Sequence, residues 1–143
     1  MKVAIGSDHA GYSLKGYITE HLEDSNIEVL DYGTHSEESI DYPRFAHSVA
    51  NSVSTGEVDY GILICGSANG VSMTANKHAK IRCAICWKPE LATLAKSHNN
   101  ANIIALPARF ISEELAVEII NAYRSAQFEG GRHQRRVEKI PCT

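Results

Sequence analysis

Short apolar runs alternate with helically periodic segments along the whole chain, and this alternation restricts the fold more than any other feature of the sequence. The runs that predict β-strands are Lys2–Gly6, Ile27–Asp31, Asp59–Cys65, Ile81–Cys86 and Asn102–Leu106. Helices are predicted over residues 10–24, 42–55, 70–78, Pro89–Ser97, Ser112–Ser125 and Gly131–Lys139. Strands that alternate with helices form a parallel sheet covered on both faces. The sequence therefore predicts an α/β fold with one domain over residues 1–143. We expect a three-layer sandwich with a five-stranded parallel sheet of the Rossmann or flavodoxin type and a C-terminal helix.

Composition predicts a globular, cytoplasmic protein. The chain has 143 residues, of which 43% are hydrophobic, so it can bury a core without help from disulfides or a metal. No apolar run approaches the ~18 residues of a membrane span, and the first residues lack the basic and apolar blocks of a signal peptide. We therefore expect no membrane partner.

Positive charge accumulates late in the chain, although the formal net charge is −3. Residues 61–143 contain 11 basic and 6 acidic residues, and the basic residues are densest in Gly131–Lys139. One short basic cluster in an acidic protein is weak support for nucleic-acid binding. Two or three arginines can neutralise a small anion, so the expected partner is a phosphorylated small molecule such as a sugar phosphate, and not nucleic acid.

The four cysteines are expected to be free thiols. Cys83 and Cys86 form a C-x-x-C pair, which could indicate a redox or zinc site. The surrounding sequence, IRCAICW, has strand character, and positions three apart on a strand point to opposite faces of the sheet. Two sulfurs on opposite faces cannot share a metal, so ordinary buried cysteines are the favoured interpretation.

A loop with two glycines follows the most apolar predicted strand. Cys65 ends that strand, and the loop reads GSANG over residues 66–70. Successive amides at the beginning of a helix form an anion-binding concavity, and a thiol beside them ionises more readily. A thiolate next to such an oxyanion site can abstract a proton beside a carbonyl and hold the resulting enediolate. Cys65 is therefore a candidate base, and the alternative is a structural cysteine in a tight turn.

Polar residues at three further places suit the same chemistry. Asp8 and His9 lie in the loop after the first strand; they could transfer protons, or Asp8 could simply cap the following helix. His98 is a candidate acid or base, or a histidine placed favourably at a helix C-terminus. Arg132 and Arg136 lie four residues apart, so on a helix they share one face and could hold one phosphate. A solvated basic surface is the alternative.

Six short motifs are distributed in order along nearly the whole chain. They are SDHAG (7–11), DYP (41–43), CGSANG (65–70), ANK (75–77), SHNNAN (97–102) and EGGRHQRRVE (129–138). As a set they resemble the type B ribose-5-phosphate isomerases, a family that also includes allose-6-phosphate and galactose-6-phosphate isomerases. The resemblance implies interconversion of D-ribose 5-phosphate and D-ribulose 5-phosphate through an enediolate, a step of the pentose phosphate pathway.

The resemblance also implies roles for individual residues. Cys65 would be the base that moves the proton between C1 and C2, as in the branch of the family that lacks a glutamate at the position of Val71. Asp8 would manage the proton between the two substrate oxygens. His98 would help to open the furanose ring, with His133 as a second candidate. The residues that would hold the enediolate, the sugar hydroxyls or the phosphate are His9, Gly66, Ser67, Ala68, Asn69, Gly70, Asn99, Arg109, Arg132 and Arg136.

An aldose–ketose exchange needs a base, an acid and oxyanion support, but no redox cofactor. The spacing of Asp, Glu and His residues along the sequence does not indicate a metal site. We therefore expect no cofactor and no metal. The resemblance implies a homodimer, or a dimer of dimers, in which His98 and Asn99 of the neighbouring chain complete each site. A hexose 6-phosphate isomerase and a non-catalytic, flavodoxin-like nucleotide-binding module are the alternative functions.

Overall fold

In the computed structural model, which describes residues 1–142, five strands form one sheet. The strands are β1 (Lys2–Ser7), β2 (Glu28–Asp31), β3 (Tyr60–Cys65), β4 (Cys83–Ile85) and β5 (Ile103–Pro107). They lie in the order β2-β1-β3-β5-β4, and every neighbouring pair is parallel. The predicted five-stranded parallel sheet is confirmed.

Helices follow the strands in the predicted alternation. Within the described residues they are α1 (Tyr12–Asp24), α2 (Pro43–Ser54), α3 (Asn69–Ala75), α4 (Pro89–Ser97), α5 (Glu113–Ser125) and α6 (Arg132–Val137). A short 3-10 turn over His9–Gly11 leads into α1. Over residues 1–142, no helix is both long enough and apolar enough to cross a membrane.

The core consists of two apolar layers, one on each face of the sheet. Neighbouring residues of a strand alternate between them, as the pleat of a strand requires. Ile62 and Ile104 belong to the layer that contains α1, α4 and α5. Leu63 and Ile103 belong to the layer that contains α2 and α3. Because both faces of the sheet are covered, a ligand can reach the sheet only at the ends of the strands.

The end of α3 and the beginning of β4 differ from the predicted boundaries, and Asn76 explains both differences. α3 ends at Ala75 instead of residue 78, and β4 covers only Cys83–Ile85. The Asn76 side chain accepts a hydrogen bond from the Cys83 N–H (2.8 Å) and donates one to the Cys83 carbonyl (3.0 Å). This contact ties the end of α3 to the beginning of β4, so the residues between them form a turn.

The C-x-x-C pair is divided between the two core layers. Cys83 packs against the layer of α2 and α3, whereas Cys86 belongs to the opposite layer. Burial raises the pKa of each of these thiols to about 12, so both remain protonated at neutral pH. The four cysteines are free, as predicted.

Candidate active site

Cys65 is the last residue of β3, a strand that is buried along its whole length. Cys65 itself is only 5% exposed. The chain then turns through Ala68, which has a left-handed backbone (φ +68°), and α3 begins at Asn69. A left-handed alanine costs about 1 kcal/mol. The Ser67 hydroxyl supports the turn by accepting hydrogen bonds from the Asn69 backbone (3.3 Å) and side chain (3.2 Å).

The glycines of this loop leave space for side chains from other elements. A Cβ atom at Gly66 would lie 3.0 Å from Nη1 of Arg109, and one at Gly70 would overlap the ring of Tyr42. The Arg109 N–H also donates to the Gly66 carbonyl (3.1 Å). The guanidinium therefore lies against the loop directly after Cys65, where its charge favours a bound anion.

Asp8 and His9 lie at the same edge of the sheet, in the loop after β1. Asp8 is buried, and its Oδ1 accepts hydrogen bonds from the backbone N–H groups of Ala10 (3.0 Å) and Gly11 (3.2 Å). The capping role considered for Asp8 is therefore present in the structure. Nδ1 of His9 accepts a hydrogen bond from the Ile40 N–H (3.3 Å). Because Nδ1 accepts, the proton of the neutral ring is on Nε2, which can donate to an anion.

His98 and His133 form a stacked pair at the end of α4. Their ring centroids are 4.2 Å apart and their planes differ by 14°. His133 is buried, at 7% exposure, whereas the side chain of His98 is 38% exposed. Glu129 lies beside both rings: its carboxylate oxygens are 3.8 Å from Nε2 of His98 and 3.6 Å from Nε2 of His133.

Arg132 and Arg136 are both exposed and lie four residues apart on α6, so they share the face of a helix, as predicted. Within residues 1–142 neither of them forms an ion pair. Asn99 follows His98 and is exposed. These residues offer two free cations and an amide to a ligand beside the stacked histidines.

The two groups of candidate residues lie at opposite edges of the sheet. Asn99 precedes the beginning of β5, whereas Arg109 follows its end and contacts the loop after Cys65. Five residues of a strand span about 16 Å. The Glu129 N–H donates to the Ser97 carbonyl (3.0 Å), which holds the α6 segment at the edge where α4 ends. One chain therefore brings Asp8, His9, Cys65, the glycine loop and Arg109 together, and it separates them from His98, Asn99, Arg132, His133 and Arg136.

Comparison with known proteins decides the family. The sequence profile described as Ribose/Galactose Isomerase matches residues 3–140. The chain belongs to this family. Ribose-5-phosphate isomerase B of Escherichia coli is 50% identical over 139 residues, which make up 97% of this chain and 93% of that protein. The resemblance inferred from the six motifs is thus confirmed.

Solved structures of the isomerase family share the fold. A ribose 5-phosphate isomerase from Thermotoga maritima has a TM-score of 0.96 at 50% identity, covering 98% of this chain and 97% of that chain. Ribose-5-phosphate isomerase B from Mycoplasma genitalium, solved with bound ribulose-5-phosphate, has a TM-score of 0.93 at 42% identity, with coverage of 97% and 93%.

Two residues of this isomerase-family chain were not identified as site residues from the sequence. Tyr42 packs over Gly70, and the sequence feature that could have indicated it is the DYP motif, of which it is the central residue. Glu129 contacts both histidines, and the sequence feature that indicates it is its spacing of four residues from His133 within the EGGRH motif. In both cases the contact depends on tertiary structure that the motif alone does not describe.

His98, Glu129 and His133 also resemble a metal-binding set, because their donor atoms lie within 4.8 Å of one another. Spacing along the sequence did not predict this cluster, since its members come from two separate segments. The two rings are nearly parallel, so the lone pairs of the Nε2 atoms point side by side and do not converge on one ion. In this arrangement the cluster is a histidine pair with a carboxylate rather than a metal centre.

Large apolar side chains of the isomerase domain are exposed next to the Cys65 loop. Trp87 and Phe110 are the largest of them. A surface groove joins them to the loop and is lined by Ser67, Asn69, Ile85, Trp87, Pro107 and Phe110. An exposed apolar groove suits contact with another protein or with a ligand.

Proposed function

We propose that this chain interconverts D-ribose 5-phosphate and D-ribulose 5-phosphate. The observation that carries the proposal is Cys65 at the end of a buried strand, beside the loop amides and the Arg109 guanidinium. This is a base next to a site for an oxyanion. The named function of the Escherichia coli relative supports it, as does the ketose bound to the Mycoplasma genitalium protein. Isomerase relatives also favour an enzyme over a non-catalytic nucleotide-binding module.

The first step of the proposed reaction opens the furanose ring. The bond between C1 and the ring oxygen breaks, and the ring oxygen takes the electron pair and a proton from His98. The O1–H bond supplies the electrons of the new C1 carbonyl, and its proton passes to water. His98 suits this role because its side chain is partly exposed beside two free arginines, whereas His133 is buried.

The second step moves a proton between two carbons of the open chain. The Cys65 thiolate removes the proton from C2, which creates the C1–C2 enediolate. The loop amides of residues 66–70 and the Ser67 hydroxyl stabilise its negative charge. Asp8 passes a proton from O2 to O1, and Cys65 returns its proton to C1, so the carbonyl is now at C2. Because the substrate loses and regains one proton, no redox cofactor is consumed.

In the proposed reaction, exposed cationic side chains bind the phosphate of the sugar. Arg132 and Arg136 share one helix face, which suits two guanidinium groups that bind one phosphate. His9 adds an N–H donor at the other edge of the sheet, and Arg109 adds a charge there. The phosphate supplies binding energy away from the reacting carbons and orients a small, flexible sugar.

A shared active site in a homodimer reconciles this chemistry with the geometry. The base and the ring-opening acid lie at opposite edges of one chain, so a second chain must supply the missing group. The exposed Trp87 and Phe110 beside the Cys65 loop provide an apolar surface for such a partner. A two-fold dimer then contains two equivalent mixed sites, and a dimer of dimers would retain them.

Substrate choice is the direct test. Ribose 5-phosphate and allose 6-phosphate should be assayed side by side by following formation of the ketose, with no added cofactor. We expect kcat/KM to be at least tenfold higher for the pentose, a difference of about 1.4 kcal/mol. A preference for allose 6-phosphate would favour the hexose phosphate alternative, and the absence of turnover with both sugars would refute the proposal.

A further inference from the structure

Glu129 is an unassigned carboxylate in contact with both histidines of the site. Its two oxygens face Nε2 of His98 at 3.8 Å and Nε2 of His133 at 3.6 Å. Nε2 of His133 is buried and has no hydrogen-bond partner in the described residues. The carboxylate is therefore placed to stabilise a positive charge on either ring.

The backbone fixes Glu129 in this position. Its N–H donates to the Ser97 carbonyl (3.0 Å), directly before His98 in the chain. The next two residues, Gly130 and Gly131, have left-handed backbones (φ +67° and +56°). These glycines turn the chain into α6, which carries His133. Glu129 is thus anchored to the segments of both histidines.

Charge repulsion makes a second proton on the pair of His98 and His133 unfavourable. Two stacked imidazolium rings would repel each other, and the positive charges of Arg132 and Arg136 are close by. Burial lowers the pKa of His133, and the charges of His98 and Arg132 lower it further. Arg136 acts in the same direction, whereas Glu129 opposes all of them. Together these causes disfavour a proton on the buried His133, and His98 is the more exposed of the two rings.

We propose that Glu129 is a positioning residue, whose carboxylate keeps one proton on the stacked pair and orients His98 to deliver that proton to the ring oxygen of the sugar. The inference rests on the proposed function, in which His98 assists ring opening. It assigns Glu129 to the ring-opening step alone. The proton transfer at Cys65, at the other edge of the chain's sheet, does not involve Glu129.

The test separates ring opening from the later proton transfer. E129Q removes the charge and preserves the size of the side chain, and E138Q removes a carboxylate from the end of α6 without altering the histidine pair, since Glu138 bonds to Gln134. Each variant is assayed with ribose 5-phosphate and with 4-deoxyribose 5-phosphate. The second sugar lacks the hydroxyl that closes the furanose ring, so it needs no ring opening.

We expect E129Q to lower kcat for ribose 5-phosphate at least tenfold with little change in KM, and to change kcat for the 4-deoxy sugar less than twofold. The pH above which turnover of ribose 5-phosphate falls should move lower in E129Q, because the carboxylate no longer favours the protonated pair. E138Q should match the wild type with both sugars. Glu129 has a 57% exposed side chain, and a melting curve will show that E129Q is folded.

Equal losses with both sugars, or an unchanged kcat for ribose 5-phosphate, would overturn the assignment of Glu129. An NMR titration of the imidazole signals gives a readout independent of turnover: an unchanged titration in E129Q would overturn it as well. A wild-type protein that converts neither sugar would instead refute the proposed function, so the two failures are distinguishable.

Discussion

The separation of the two proposed catalytic groups, Cys65 and His98, within one chain predicts that two inactive variants will restore each other's activity. His98 lies before β5 and Cys65 lies beside the end of β5, about 16 Å apart along the strand direction. If a second chain completes each site, Cys65 of one chain works with His98 of its partner. C65A and H98A should each be nearly inactive alone.

The size of the recovery follows from two-fold symmetry. When equal amounts of the two variants are unfolded and refolded together, random pairing makes about half of the dimers mixed. In a mixed dimer, one site contains both substitutions and the other contains neither. Half of the sites in half of the dimers are intact, so about a quarter of the wild-type activity should return.

The assay is ketose formation from ribose 5-phosphate, with each variant refolded alone as the baseline. A tag of different mass on each variant shows by native mass spectrometry that mixed dimers have formed. If mixed dimers are present and activity stays at the baseline, both groups lie within one chain and the shared-site reasoning is wrong.

Three further predictions concern single groups. C65A should lower kcat more than tenfold, a barrier increase above about 1.4 kcal/mol, while isothermal titration still detects phosphosugar binding; a smaller loss would show that Cys65 is not the base. Iodoacetamide at pH 8 should inactivate the enzyme and label Cys65 unless substrate protects it, whereas Cys83 and Cys86 stay unlabelled in peptide mass spectra because each has a pKa of about 12. R136A should raise KM for ribose 5-phosphate, with R136K giving a smaller increase because lysine cannot form a bidentate pair. Steady-state kinetics will check this, and equal loss for an unphosphorylated sugar would indicate a structural arginine.

The sheet and the edge that carries Asp8 and Cys65 could be predicted because their sequence patterns are local. The apolar run that ends at Cys65 is buried along its whole length, and no distant residue is needed to recognise it. Parallel strands place their carboxyl ends at one edge, so the sequence alone predicts that the loops containing Asp8 and Cys65 lie at the same edge. The C-x-x-C interpretation depended only on the alternation of a strand: the two thiols lie in opposite core layers, as predicted, although Cys83 is half-buried and only Cys86 is fully buried.

Contacts between distant segments could not be predicted in the same way. The bond from Asn76 to Cys83 shortens α3 and β4, but the sequence shows only a helix-compatible residue followed by a turn. Glu129 contacts two histidines because the α6 segment packs beside α4, and no periodicity indicates that packing. The placement of His98 away from Cys65, by contrast, follows from parallel pairing alone, because His98 precedes β5 whereas Cys65 ends the neighbouring strand β3.

Asn76 also determines which backbone groups are free along β4, the outermost strand on one side of the sheet. Alternate residues of a parallel strand direct their backbone groups to opposite sides. The Arg82 carbonyl accepts a hydrogen bond from the beginning of β5, and the Cys86 N–H donates one to β5. The backbone groups of Cys83 and Ile85 therefore point away from β5. The Asn76 amide occupies both backbone groups of Cys83, as a neighbouring strand would. Of the outward-facing residues of β4, Ile85 alone keeps its backbone groups free to pair with a strand of another molecule. This side of the sheet is therefore a poor template for aggregation.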